Sequence, residues 1–169
     1  PFVSPAAIGL VTLRKGSAEG VIVALWAVLP LIGTFYFSDG NQLLTLVSVA
    51  ALLMMVVSAN VLRVTASWQW TMMVSVVVGV VTALSFGGLF AAAIDAFVQD
   101  VAEVFAQLAK EQELQQAPFV PGRQFILGLM AWMLTLSAIA SLLVSRWWQA
   151  LLFNPGGFQQ EFHKLRLDS

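Results

Sequence analysis

The sequence WTMMVSVVVGVVTALSFGGLFAAAI, at Trp70–Ile94, contains no charged side chain over 25 residues. About 20 apolar residues in a helix cross the roughly 30 Å hydrocarbon core of a bilayer, so this segment is long enough to span a membrane. The backbone N–H and C=O groups of a span in lipid must bond to each other, and a helix achieves this within one segment. We therefore predict a transmembrane helix here.

Three other segments predict spans of the same kind: Ala18–Phe37, Gln42–Leu62 and Gln124–Ser145. Pro1–Leu13 is apolar but too short to cross, and it lacks the charged start of a signal peptide. We interpret it as the second part of a helix whose start has been lost, which makes residues 1–169 a fragment of a longer chain. The predicted fold class is an all-α, polytopic transmembrane bundle in one domain, with four full spans and one truncated N-terminal span.

The composition excludes a soluble domain. Hydrophobic residues make up 59% of the chain and charged residues 10%, whereas an average soluble domain has about 45–50% and about 25%. Cysteine is absent and the formal net charge is −1. Disulfides and thiolate metal sites are therefore excluded, and we expect neither a nucleic-acid partner nor a cofactor.

The basic residues divide unevenly between the two sides of the membrane. With five crossings, Lys110 and Arg123 fall on one side, and six basic residues fall on the other: Arg14, Lys15, Arg63, Arg146, Lys164 and Arg166. Because basic connections stay in the cytoplasm, the side with six is predicted to be cytoplasmic. Four tryptophans are expected to form an aromatic belt at that interface: Trp68, Trp70, Trp147 and Trp148. The predicted location is the inner membrane of a bacterium.

Two segments are too polar to span. Residues 95–123 carry apolar side chains at three- and four-residue steps, which predicts an extracytoplasmic amphipathic helix: Phe97, Val101, Val104, Phe105 and Leu108. This helix is either a surface helix or a lid over a binding cavity. Residues 146–169 contain the turn Asn154-Pro155-Gly156-Gly157 and predict an amphipathic cytoplasmic tail. The tail is either an interfacial helix or a docking element for a cytosolic partner.

Helix four carries the clearest packing signal, because small residues recur there every four positions: Ser75, Gly79, Ala83, Gly87 and Ala91. In lipid, such a stripe lets two helices approach closely. The neighbouring helix belongs either to the same chain, which we favour, or to another chain. Trp26 and Trp132 lie inside spans, and we expect them to pack between helices.

Residues with catalytic or ligand-binding chemistry are few. No Asp, Glu or Lys lies at the centre of a span, which disfavours a self-contained proton pump. His163 is the only histidine, so no metal site is predicted, and we expect no enzymatic activity. Asn60, Ser85 and Gly88 are the candidates for a ligand cavity; the alternative for Asn60 is a hydrogen bond to a neighbouring helix.

Four stretches carry a family resemblance: RWWQA at 146–150, NPGGFQQEFHKLRL at 154–167, LVTLRKG at 10–16 and the pair Glu19-Gly20. On these motifs the chain resembles the YybS-like family of uncharacterised bacterial multispan membrane proteins. The resemblance implies a longer chain with further spans. It also implies a fold similar to the substrate-binding membrane components of energy-coupling-factor vitamin transporters. Those components dock through a small-residue stripe on an early helix, whereas the stripe here lies on helix four.

The leading hypothesis is an integral inner-membrane protein that serves as a small-molecule-binding component of a transporter. The alternative is a non-catalytic scaffold or accessory subunit of a membrane protein complex, and an intramembrane enzyme ranks third. The expected partners are the lipid bilayer and other membrane protein subunits. The sequence does not identify the ligand, the partner subunits or the oligomeric state.

Overall fold

The computed structural model describes residues 3–37, 42–111 and 121–153, and all regular structure within them is helical. The six helices of these ranges are α1 Val3–Lys15, α2 Ser17–Phe37, α3 Gln42–Thr65, α4 Trp68–Leu89, α5 Ala91–Glu111 and α6 Arg123–Phe153. Four of them, α2, α3, α4 and α6, are long and apolar enough to cross a membrane. The predicted all-α bundle is confirmed, and the chain is a multi-pass membrane protein.

The bundle is organised around α3, which packs against α1, α2, α4 and α6. With 13 residues, α1 is about 20 Å long, at 1.5 Å per residue, and reaches only part of the way along its neighbours. It nevertheless lies inside the bundle, between α2, α3 and α6, and its residues Ala6 and Ile8 are buried. The main apolar core joins Ile8 to Met55 and Leu62 of α3 and to Leu142 of α6.

Two tight turns join helices at the end of the bundle that carries Arg14, Lys15 and Arg63, called the basic end below. Gly16 links α1 to α2 with a φ of +115°, and its N–H donates to the carbonyl of Thr12 at 3.1 Å. Ala66 follows α3 with a φ of +50°, and its N–H donates to the carbonyl of Leu62 at 3.0 Å. Both residues therefore cap a helix in a backbone conformation that favours glycine.

The ends of two predicted spans were wrong. Helix α4 ends at Leu89 rather than Ile94, because the backbone turns at Phe90 (φ −117°, ψ 36°) and a separate helix, α5, begins at Ala91. Helix α6 continues past Ser145 to Phe153, so Arg146, Trp147 and Trp148 are helical rather than part of a tail. Neither proline nor glycine occurs between Ser145 and Asn154, so nothing in the sequence ends the helix before Asn154-Pro155. The rest of the predicted tail, 154–169, lies outside the described residues.

Most large apolar side chains of α2 face outward, although Val23, Val28 and Leu31 are partly buried against the core. Its buried residues are the small Gly20 and Ala24. Trp26 is 70% exposed and Trp132 of α6 is 56% exposed, so the prediction that both pack between helices was wrong. Lipid solvates a tryptophan ring as well as a protein interior does, so the helix contacts are made by the residues that permit the closest approach.

The two turns generate a paired prediction. Gly16→Ala is expected to lower the free energy of unfolding by about 1–2 kcal/mol, because a Cβ is strained at this φ. Ala66→Gly removes similar strain and is expected to raise that energy by about 0.5–1 kcal/mol, since the flexibility of glycine offsets part of the gain. Thermal unfolding in detergent measures both. If both substitutions changed the free energy of unfolding by the same amount in the same direction, the strain assigned to the two turns would be wrong.

Candidate functional site

The small-residue stripe lies at interfaces within the chain. Ser75, Gly79, Ala83 and Gly87 are buried in α4. The Ser75 hydroxyl is 2.9 Å from that of Ser58 in α3. A Cβ built on Gly79 would lie 3.2 Å from the Ala131 carbonyl oxygen in α6. The stripe therefore faces α3 and α6, whereas Ala91 lies beyond the turn and belongs to α5.

Two further close contacts involve glycines that were not predicted to pack against a neighbouring helix. Gly9 lies against Met55 and Ser145, and Gly20 lies against Thr12. The Ser145 hydroxyl is 2.7 Å from the Ala6 carbonyl oxygen, which ties α6 to α1. The four-residue spacing of Gly16, Gly20 and Ala24 is a signal that could have identified the α2 contact.

The predicted ligand residues are not brought together. The Ser58–Ser75 contact sets an antiparallel register of α3 and α4 in which Asn60 is level with Met73. Ser85 is 12 residues further along α4, which is about 18 Å at 1.5 Å per residue. Ser85 is exposed and its hydroxyl donates to the Val81 carbonyl. A Cβ on Gly88 would meet open space.

Those predicted interface residues that the structure describes all lie at the basic end of the bundle. Arg14, Lys15 and Arg63 lie at helix ends there. The contacts of Gly79 with Thr135 and of Gly87 with Leu127 set the register of α4 and α6. Extending that register puts Arg146 level with Trp68, so the Arg146-Trp147-Trp148 run and the Trp68–Trp70 pair share this end. Lys164 and Arg166 lie outside the described residues.

A cavity of about 500 Å³ lies between α1, α2, α3 and α6, midway along the spans. Its wall is mostly aliphatic and includes the buried Leu52 and Leu134. Three serines supply the side-chain polar groups of the wall: Ser4, Ser48 and Ser137. The Ser48 hydroxyl donates to the Leu44 carbonyl at 2.8 Å. Within the part of the chain that the structure describes, the Ser137 hydroxyl has no hydrogen-bond partner.

A second cavity of about 360 Å³ lies between α3, α5 and α6, towards the end opposite the basic end. Its wall has no polar surface. Helix α5 contributes Ile94, which is fully buried, and Phe97. The first residues of the predicted amphipathic helix therefore cover an apolar cavity, whereas Val104, Phe105 and Leu108 further along it are exposed.

The start of α6 holds this end of the bundle together. The Arg123 guanidinium donates to the Gly87 carbonyl oxygen and lies 3.4 Å from the Asp95 carboxylate in α5. Because α4 ends at Leu89, the Gly87 carbonyl lacks its ordinary helical donor, and a cation at a helix C-terminus also complements the helix dipole. One side chain therefore joins the ends of α4, α5 and α6.

The described side chains form no cluster of three or more Asp, Glu, His or Cys residues that could hold a metal ion. No family model matches the chain, and no curated protein or solved structure matches it either. The candidate site is therefore the pair of cavities, which lie between helices held together by small residues.

Adjacent glycines in α4 provide a matched test of the packing. A Cβ on Gly87 would lie 2.7 Å from Leu127 Cδ1, whereas a Cβ on Gly88 has nothing within 4 Å. Gly87→Leu is expected to destabilise the bundle by about 1–3 kcal/mol through overpacking, and Gly88→Leu is expected to have little effect. Thermal unfolding in detergent compares the two. Equal stability of both variants would contradict the α4–α6 contact.

Proposed function

We propose that the protein is a non-catalytic, small-molecule-binding component of a membrane transporter. The observation that carries the proposal is the 500 Å³ cavity midway along the spans. Ligand sites are typically concave, about 300–1,000 Å³ in volume and mostly apolar, with a few placed polar groups. The unpartnered Ser137 hydroxyl in an aliphatic wall fits that description.

The proposal includes an orientation and a location. The six-to-two division of basic residues supports a cytoplasmic location of the basic end. The proposed membrane is the inner membrane of a bacterium. The second cavity then lies near the outer surface, beneath the start of α5. Membership of the YybS-like family is part of the same proposal and rests on the motifs quoted above.

A second candidate function is a scaffold or accessory subunit. It is favoured by Trp26 and Trp132, whose rings are exposed within spans. Neither indole N–H donates to a group among the described residues. Exposed tryptophans often anchor protein interfaces, because they combine a large apolar area with one donor. A neighbouring subunit would provide both the contact area and the acceptor.

Filling the cavity tests the first candidate. We expect native mass spectrometry to show a bound molecule of defined mass that persists through exchange between two detergents. Ala51 lines the cavity, so Ala51→Trp is expected to reduce its occupancy at least tenfold. Val57 lies on the outer face of the same helix, so Val57→Trp is the matched control and is expected to retain it.

A second cavity-filling variant keeps the test decisive, and two outcomes would contradict the proposal. Ala27→Phe fills the same cavity from α2 and replaces Ala51→Trp if that variant fails to fold, as judged by circular dichroism. A bound molecule that remains in both filled variants would exclude the cavity as its site. A preparation without any bound molecule, but with an assembly that Trp26→Leu dissociates, would favour the scaffold.

The orientation is testable because the chain contains no cysteine. Arg14→Cys and Arg63→Cys are expected to resist an impermeant thiol reagent in intact bacterial cells and to react after the membrane is opened. Gly122→Cys lies at the opposite end, where glycine has open space around it, and is expected to react in intact cells. Labelling in the reverse pattern would overturn the orientation.

A further inference from the structure

The two cavities adjoin along the contact between α3 and α6, and together they are called the groove below. Three residues line both of them: Val47, Met130 and Met133. The larger cavity lies midway along the spans and the smaller one continues towards the opposite end, where Ile94 and Phe97 of α5 cover it. A long, narrow molecule matches this arrangement better than a compact one.

The walls of the groove restrict the chemistry of its occupant. No charged side chain lines either cavity among the described residues, and the second cavity has no polar surface at all. Burying an ionised group without a partner is strongly unfavourable. A molecule that would place an ionised group inside the groove therefore fits poorly, whereas an apolar chain fits well.

The position of the opening of the groove indicates where the apolar chain of the ligand comes from. Met133 lines both cavities and is 55% exposed. Pro30 of α2 lines the larger cavity and is also exposed. Both residues lie within spans, at a depth where the surroundings are hydrocarbon rather than water. A chain entering here comes from the bilayer itself.

We infer that the groove binds one acyl chain of a bilayer phospholipid, which enters sideways from the membrane while its headgroup stays at the surface. This inference rests on the proposed small-molecule site and names its substrate class. We name a phospholipid rather than a free fatty acid because the opening lies within the spans, at a depth where the acyl chains of bilayer phospholipids surround the protein.

Photolabelling tests the inference with internal controls. The protein is placed in nanodiscs that contain phosphatidylcholine with a diazirine in the middle of one chain, is irradiated, and is mapped by peptide mass spectrometry. Leu52 and Leu134 line the groove but are only 6% and 4% exposed. Leu62 and Leu142 are buried leucines of the same two helices, 1% and 0% exposed, and they line neither cavity.

We expect labelling of Leu52 and Leu134 to exceed that of Leu62 and Leu142 at least tenfold, and Ala51→Trp to abolish the excess. Labelling of all four leucines to the same low extent would overturn the inference. Parallel samples carry a diazirine fatty acid or a water-soluble diazirine in place of the labelled phospholipid.

The parallel samples separate this inference from the proposed function. Labelling of Leu52 by the fatty acid alone would overturn the phospholipid source. Labelling by the water-soluble probe alone would overturn the acyl-chain class but leave a small-molecule site in place. If none of the three probes reaches Leu52 or Leu134, both the inference and the proposed site are wrong.

Discussion

The structure depends on the close approach of helices at small residues. In lipid, an apolar side chain gains nothing by leaving hydrocarbon for a protein interior, so helices associate through van der Waals contact and a few hydrogen bonds. Gly9, Gly20, Gly79 and Gly87 each face a neighbouring side chain at a distance that leaves no ordinary room for a Cβ. The Ser58–Ser75 contact adds a polar link inside the same interfaces.

The same constraint accounts for the cavities. The close contacts of α2 are at Gly20 and Ala24, near the basic end, and beyond them the helix presents Ala27, Pro30 and Leu31 to the larger cavity. The proline lacks an N–H and weakens the helix at this level. Long, flexible Met130 and Met133 form the facing wall on α6. The larger cavity therefore lies beyond the close contacts at Gly20 and Ala24.

Segment length and the absence of charge sufficed to predict four spans. The thickness of the hydrocarbon core sets the length of a span, and its apolar interior excludes charged side chains. The four-residue spacing of Ser75, Gly79, Ala83 and Gly87 marked a real contact face. The break at Phe90 was missed because no proline or charged residue accompanies it. Its contact with Arg123, which donates to the Gly87 carbonyl, comes from a residue 36 positions further along the chain. Asn60 and Ser85 were grouped by polarity, whereas the antiparallel register separates them.

The contacts that hold α5 differ in kind from those that form the groove. At its start, α5 is held by the salt bridge between Asp95 and Arg123, and Ile94 and Phe97 rest on aliphatic side chains. Water weakens a half-exposed ion pair, whereas the apolar wall beneath it is unaffected by salt. Because Ile94 and Phe97 are themselves part of the cavity wall, a displacement of α5 would also change the cavity, and Arg123 connects α5 to the ends of α4 and α6.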